Sequence, residues 1–217
     1  MKKKTKIIIL TIIVILFCIT TIILVYVKNN SPEKYYLENI ITEYNDLNES
    51  VVAKVNDEPI TNKDLCLIKY SCRPQNPVKE AIRQKSIALL AEEDGFSLSQ
   101  EKIDKEVKYI DKAYDKLNLP ETEQNIAFKS DLRNNHLEMS TSISYETYIE
   151  KQILNQEFKT SNKNINKKYE KFKSLYKKWE DTDKKDSKLF KKIWLLMDEI
   201  TEDYIDDRIK EFKVEKY

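Results

Sequence analysis

Hydrophobic residues in this chain recur mainly every three or four positions, the period of an amphipathic α-helix. Stripes of this kind predict helices over residues 36–47, 77–94, 99–117, 121–139 and 144–158, followed by a helical pair within 159–217. Local signals place the ends: Pro77 begins one helix, Gly95 ends it, and Ser99 and Ser144 are each expected to cap a further helix. A predominantly helical chain is therefore predicted.

One stretch departs from this period, VVAKVNDEPITNKDL at residues 51–65. Its β-branched residues predict a short strand, and Asn56-Asp57 predicts a tight turn because both residue types tolerate positive φ. Pro59 restricts the return strand to a sheet edge. Thr61 is placed to cap the next helix, with Asp64 in the capping-box position. The predicted fold class is all-α with one small β-hairpin.

The last third of the chain combines apolar stripes with an uneven charge distribution. Residues 159–192 contain 13 lysines and 5 acidic residues, whereas residues 193–217 contain 4 basic and 8 acidic residues. Opposite charges of this kind favour two helices that lie against each other, although two separately solvated faces would give the same pattern. The stripes predict an αα-hairpin with its connector at residues 181–186.

The N-terminus has a different pattern, a basic leader followed by an apolar run. Four lysines within residues 1–6 precede Ile7 to Val27, which is 21 residues without a charge. A helix of that length spans ~31 Å, about the thickness of the hydrocarbon layer. Phe17 stands before Cys18 where a lipoprotein signal has a small residue. A retained single-pass anchor is predicted, with a cytoplasmic N-terminus and residues 28–217 outside the plasma membrane.

These patterns divide the chain into five parts. They are a cytoplasmic basic leader (1–6), a transmembrane anchor (7–27), a membrane-proximal helix (28–50), a helical domain (51–158) and a C-terminal αα-hairpin that packs on that domain (159–217).

The composition excludes several kinds of site. Gly95 is the single glycine, so a glycine-rich phosphate loop cannot form, and no His-Glu-x-x-His, Gly-x-Ser-x-Gly or paired Cys-x-x-Cys motif occurs. His136, the single histidine, is interpreted as a surface helix residue rather than a general base. We expect no catalytic residue, no cofactor and no metal site. A lysine-rich helix is usually only well solvated, so no nucleic-acid partner is expected.

Cys66 and Cys72 lie six positions apart near a predicted helix end. On a continuous helix their side chains point about 240° apart and cannot form a disulfide. A helix break at Ser71 would allow one in an oxidising exterior. Two small buried hydrophobic residues are the alternative.

Three late aromatic residues are candidates for binding extended apolar peptides: Tyr176, Trp179 and Trp194. Their side chains are large and amphipathic, a type enriched at binding surfaces. Alternatively, the same stripe forms the seam between the two helices of the αα-hairpin.

From Val51 to Leu117 the order of strand, turn, strand, cap and helices resembles the N-terminal domain of SurA-like and PrsA-like extracytoplasmic chaperones. Asp57 departs from that pattern, in which glycine is usual at this position. The matching residues are Val55, Asn56, Glu58, Pro59, Ile60, Thr61, Ala91, Gly95 and Ser99.

The resemblance implies a module that binds unfolded or exported polypeptides. In that family the module is often joined to a parvulin-type prolyl isomerase domain, which requires several strands, glycines and histidines. After Phe158 only 59 residues remain, without glycine, proline or histidine, so the resemblance implies binding without isomerisation. In such relatives the C-terminal helix returns to complete the module, a role that Leu189 to Phe212 would take here. The alternative function is a helical scaffold that docks one dedicated partner at the membrane surface.

Overall fold

The computed structural model describes residues 32–217, which are predominantly helical, as predicted. These residues form the following elements: α1 (Pro32–Asp46), β1 (Val51–Val55), β2 (Glu58–Thr61), α2 (Asn62–Cys72), α3 (Pro77–Glu93), α4 (Gln100–Asp115), α5 (Glu123–Leu154), α6 (Lys163–Asp181), α7 (Ser187–Ile209) and β3 (Val214–Lys216).

The predicted leader and the apolar run Ile7 to Val27 lie outside the described residues. Among the helices within 32–217, none is both long enough and apolar enough to span a membrane. The anchor at residues 7–27 therefore stays a prediction.

The predicted hairpin is confirmed. Strands β1 and β2 pair antiparallel, with Val55 opposite Glu58. Asn56 and Asp57 between them have φ values of 48° and 54°, the left-handed conformation that a two-residue type I′ turn requires at both positions. The alternating side chains Ala53, Val55 and Ile60 are buried and join the main core.

A third strand, which the sequence pattern did not predict, completes the sheet. Strand β3, at the end of the chain, pairs antiparallel with β1, so the strand order is β2-β1-β3. The pairing continues beyond the strand, because the Asn56 amide donates to the Lys213 carbonyl at 2.8 Å and the Lys213 amide donates to Asn56 Oδ1 at 2.9 Å. Pro59 lies in β2, an edge strand, as expected.

Helix α2 begins with the predicted capping box. The Thr61 hydroxyl accepts from the Asp64 amide, and the Asp64 carboxylate accepts from the Thr61 amide. The helix passes Ser71 without a break and continues to Cys72, ending at Arg73 in the left-handed conformation. The helix break at Ser71 that a disulfide between Cys66 and Cys72 requires is therefore absent. Cys66 carries a free, buried thiol.

The predicted break between residues 139 and 144 is wrong, because α5 is one helix of 32 residues. Ser144 does not cap a helix; its hydroxyl donates to the Ser140 carbonyl one turn earlier. Ser142 Oγ lies 3.1 Å from the carbonyl oxygens of both Glu138 and Gln84. Hydroxyl groups that bond within the helix are compatible with its continuation, and the small buried serines let α5 approach α3 closely.

Two hydrophobic clusters share helix α5. Its first half contributes Phe128 and Leu132 to a small cluster with α1, α2 and α4. Its second half contributes Tyr145, Ile149 and Ile153 to the main core, together with the sheet, α3, α6 and α7. Because α5 contributes residues to both clusters, it connects them.

Helices α6 and α7 pack against each other along an apolar seam, and α7 also contacts α3 and α5. The charges across the seam are complementary, since Lys168 of α6 pairs with Glu199 and Asp203 of α7 at 2.6 and 2.5 Å. On the other side of α7, Arg83 of α3 pairs with Glu202 and Asp206.

Candidate functional site

Tyr176 and Trp179, two of the predicted peptide-binding residues, lie in the α6–α7 seam. Both are half-buried against the main core. Their ring centroids are 5.8 Å apart, and Trp179 lies 5.1 Å from Phe190 of α7. These rings continue the stacking that begins at Tyr169 and Phe172, so in this structure they hold the two helices together.

Trp194, the third candidate, lies at the outer end of the same series of rings and reaches the surface. Its ring packs edge-on against Phe190 at 5.9 Å, and both side chains are about 40% exposed. Leu195, the next residue along α7, is also exposed. We call Phe190, Trp194 and Leu195 the Trp194 surface.

An apolar concavity lies elsewhere, between the α3–α4 loop and the second half of α5. It is an open groove of about 320 Å³, here named the Phe96 groove. One wall comes from the loop and the first turn of α4, and the other from one face of α5. Its lining residues are Phe96, Ser97, Leu98, Ser99, Lys102, Ile143, Ser144, Thr147, Tyr148 and Lys151.

Two helix ends fix the loop wall of the Phe96 groove. Gly95, with φ at 69°, ends α3, and the Phe96 amide then donates to the Ala91 carbonyl at 2.8 Å. This pair of features is typical of a glycine-terminated helix. At the other end of the loop, the Ser99 hydroxyl accepts from the Lys102 amide and caps α4, as predicted. The loop is therefore held at both ends by local hydrogen bonds.

Aromatic packing joins the loop to α5. Phe96 packs edge-on against Tyr145 at 5.7 Å and lies 5.3 Å from Tyr148. Tyr145 is fully buried, and its hydroxyl donates to the Asp94 carboxylate, which also accepts from Arg208 of α7 at 3.1 Å. Burial raises the pKa of Tyr145 well above its usual range, so this hydroxyl stays protonated as the donor.

Apolar side chains of the Phe96 groove face solvent. Ile143 is 55% exposed and Tyr148 is 37% exposed, although both lie on a helix whose neighbouring turns reach the core. Ser97, Ser99 and Thr147 also line the groove, and the Thr147 hydroxyl donates to the Ile143 carbonyl at 3.0 Å. A mixed apolar and hydroxyl-lined surface of this kind suits an extended polypeptide, which needs both apolar contacts and hydrogen bonds.

The sequence did not predict the Phe96 groove. Its walls come from residues 96–102 and 143–151, which are more than forty positions apart, and neither segment has a distinctive motif. The one available signal was Ile143, an apolar residue within the serine-rich run STSIS at residues 140–144. The incorrect break predicted at Ser144 concealed that signal.

His136 pairs with a carboxylate and lies outside the groove. Its Nε2 lies 2.8 Å from Glu106 Oε2, and its ring stacks on Tyr109 at 5.8 Å. Within the described residues no group of three or more histidine, cysteine or acidic side chains is arranged to hold a metal ion.

Comparisons of the chain with protein-family models, with curated proteins and with solved structures found no match. The resemblance of residues 51–117 to SurA-like and PrsA-like domains therefore stays a prediction.

Proposed function

We propose that this chain is a membrane-anchored, extracytoplasmic chaperone that holds unfolded or exported polypeptides without catalysis. The observation that carries the proposal is the Phe96 groove, in which exposed apolar side chains and hydroxyl groups line a concavity of about 320 Å³. That size lies at the lower end of the range for ligand sites and accommodates a few side chains of an extended segment.

Ile143, which is more exposed than Tyr148, is one of the apolar residues that supply the binding energy in this proposal. Covering the exposed half of Ile143 yields on the order of 1 kcal/mol, and Tyr148 and Leu98 add comparable apolar contacts. The sum is modest because association also costs translational and rotational freedom. Weak binding with low sequence specificity is the behaviour that a holding chaperone requires.

The loop wall supports the same proposal because it is ordered before any ligand binds. The left-handed turn at Gly95 and the cap at Ser99 fix the backbone on both sides of Phe96 and Leu98. A preformed wall avoids the entropy cost of ordering a loop on binding. The predicted anchor at residues 7–27 would keep the groove near the membrane, where exported chains emerge.

A second candidate function, a scaffold for one dedicated partner, is favoured by the Trp194 surface. Phe190, Trp194 and Leu195 lie exposed on α7, and exposed aromatic residues are enriched at the centres of protein interfaces. Under this alternative the partner binds α7 and the Phe96 groove has no ligand.

Suppression of aggregation tests the proposal. The full chain, purified in mild detergent, is mixed at near-stoichiometric ratio with a chemically denatured, unrelated protein, and light scattering is followed. We expect suppression, and we expect Ile143→Ser to weaken client binding about fivefold, the equivalent of about 1 kcal/mol.

Ile126→Ser is the matched control, because Ile126 is equally exposed on the same helix but lies outside the Phe96 groove, in a separate concavity with a charged lining. Trp194→Ser tests the alternative. The scaffold would replace the chaperone proposal if two results were found together. The chain would suppress the aggregation of none of several clients, and one partner protein would bind the chain saturably but would not bind the Trp194→Ser variant.

A further inference from the structure

The Phe96 groove carries charge of a single sign. Its charged lining residues are Lys102, from the first turn of α4, and Lys151, from α5. The neighbouring acidic residue Glu150 is not part of the lining; its pKa is raised by burial and by the nearby charge of Asp198 on α7. The walls of the groove are otherwise apolar or hydroxyl-bearing.

Neither lysine is neutralised by a carboxylate within residues 32–217. Lys102 Nζ donates to the Ser144 hydroxyl at 2.7 Å, and no acidic partner is present for Lys151 in this part of the chain. Other cations at helix contacts are paired, as Lys85 is with Glu138 and Arg208 is with Asp94. The positive charge of the groove is therefore available to a bound ligand.

The spacing of the two lysines along α5 is defined by the helix. Lys102 reaches α5 at Ser144, and Lys151 lies seven positions further, or about 10 Å along the helix axis. An extended peptide advances about 3.3 Å per residue, so this separation corresponds to about three peptide residues. Ile143 and Tyr148 line the groove on the same helix as Lys151, alongside the position that Lys102 reaches.

We infer that the Phe96 groove selects extended segments in which apolar residues are flanked by acidic side chains about three positions apart. This inference rests on the proposed function and specifies its substrate class. The acidic groups pair with Lys102 and Lys151, the apolar residues between them cover Tyr148, and an adjoining apolar residue covers Ile143, next to the position that Lys102 reaches. The groove thereby favours acidic-apolar segments over basic ones of equal hydrophobicity.

Two other anionic ligands fit the observations less well. Binding to a nucleic-acid backbone depends on many phosphate contacts, whereas the groove offers two cations. An anionic lipid surface is flat, whereas Ile143 and Tyr148 line a concavity. A peptide uses both the charges and the apolar lining.

Fluorescence anisotropy with the full chain in mild detergent tests the inference. Three labelled peptides share one apolar core and carry two Asp, two Asn or two Lys residues three positions apart. We expect the Asp peptide to bind about tenfold more tightly than the Asn peptide, and the Lys peptide to bind most weakly. The preference should decrease as salt is added, since partly exposed ion pairs are screened.

The combined substitution Lys102→Gln and Lys151→Gln should make the Asp and Asn peptides bind equally. Lys108→Gln, on an exposed part of α4 outside the groove, is the control and should keep the preference.

Equal binding of all three peptides by the unmodified chain would overturn the inference while leaving the proposed function intact. A preference retained in the lysine double variant would also overturn it. No binding of any peptide, with no suppression of aggregation, would reject the proposed function itself. Binding to anionic vesicles that is lost in the double variant, without peptide binding, would replace the peptide with a lipid surface.

Discussion

Several buried or partly buried polar side chains in this protein are paired across helices. The Tyr44 hydroxyl donates to Asp131, joining α1 to α5, and the Tyr145 hydroxyl donates to Asp94, joining α5 to the end of α3. Lys85 Nζ donates to Glu138 Oε2 at 2.5 Å between α3 and α5. A buried polar group without a partner costs free energy, so each pair restricts how its two helices can be arranged.

The Cys66 thiol should be unreactive in the folded protein. It is free and buried, and burial raises the pKa of Cys66 to about 11, so very little thiolate forms near neutral pH. We expect iodoacetamide at pH 8 to leave Cys66 unmodified in the native chain and to alkylate it in urea. Tryptic mapping by mass spectrometry checks this, because Lys69 places Cys66 and Cys72 in different peptides. A disulfide-linked pair of those peptides would contradict the structure.

Glu138 should contribute a pH dependence to stability. Burial raises its pKa above the ordinary value, and Lys85 offsets only part of that rise. An acid with a raised pKa in the folded state binds its proton more tightly there, so its contribution to stability is fully present below the unfolded pKa. That contribution decreases as pH rises through the folded pKa.

We therefore expect Glu138→Gln to reduce the fall in unfolding free energy between pH 4.5 and pH 7. Urea denaturation followed by circular dichroism at several pH values measures it. An unchanged pH profile in the variant would show that Glu138 does not titrate in this range.

Among the elements, the β1–β2 turn has the conformation that its sequence predicts, at a cost in backbone conformational free energy. Asn56 and Asp57 both occupy the left-handed region, which asparagine and aspartate tolerate and glycine adopts freely. The turn is stabilised by the two hydrogen bonds between Asn56 and Lys213. Asp57 is exposed, so its side chain contributes little packing.

Asp57→Gly should raise the free energy of unfolding by up to about 1 kcal/mol, because glycine removes the strain of a positive φ at the second turn position. Asp57→Ala should lower it, since alanine is strained at this φ and lacks the local hydrogen bonding of aspartate. Denaturant unfolding of both variants gives the comparison. An alanine variant as stable as the glycine variant would contradict the assigned turn.

At the scale of the whole molecule, the end of the chain returns to the beginning of the described fold. After α7, β3 pairs with β1, and the Tyr217 amide donates to the Val52 carbonyl at 3.0 Å. Helix α7 packs on α3 and α5 in the same region. The sheet, α3 and α7 thus form one core from segments that lie far apart in the sequence.

Deletion of residues 213–217 should destabilise the fold by about 2 kcal/mol. It removes β3 and the hydrogen bonds to Asn56 and Val52, each worth about 0.5–1.5 kcal/mol. Thermal or urea unfolding measures the loss. Tyr217→Ala is the matched control, because that side chain is largely exposed, and it should change stability by less than about 0.5 kcal/mol. A deletion that leaves stability unchanged would show that the third strand contributes nothing.

Features that depend on neighbouring residues can be predicted from this sequence. The type I′ turn at Asn56-Asp57, the capping box of Thr61 and Asp64, and the helix end at Gly95 all follow from residues within five positions of one another. Local backbone preferences and short-range hydrogen bonds decide these features, so the residue types are enough to predict them.

Features that join distant segments follow from tertiary contacts. Helix α5 continues through the STSIS run because packing on α3 accommodates its small serines, whereas local signals suggested a break. Strand β3 forms only because β1 presents a free edge to it, and the Phe96 groove exists only where residues 96–102 meet α5. Such features are stabilised by contacts between residues that lie far apart in the sequence. A local pattern of residues therefore does not predict them.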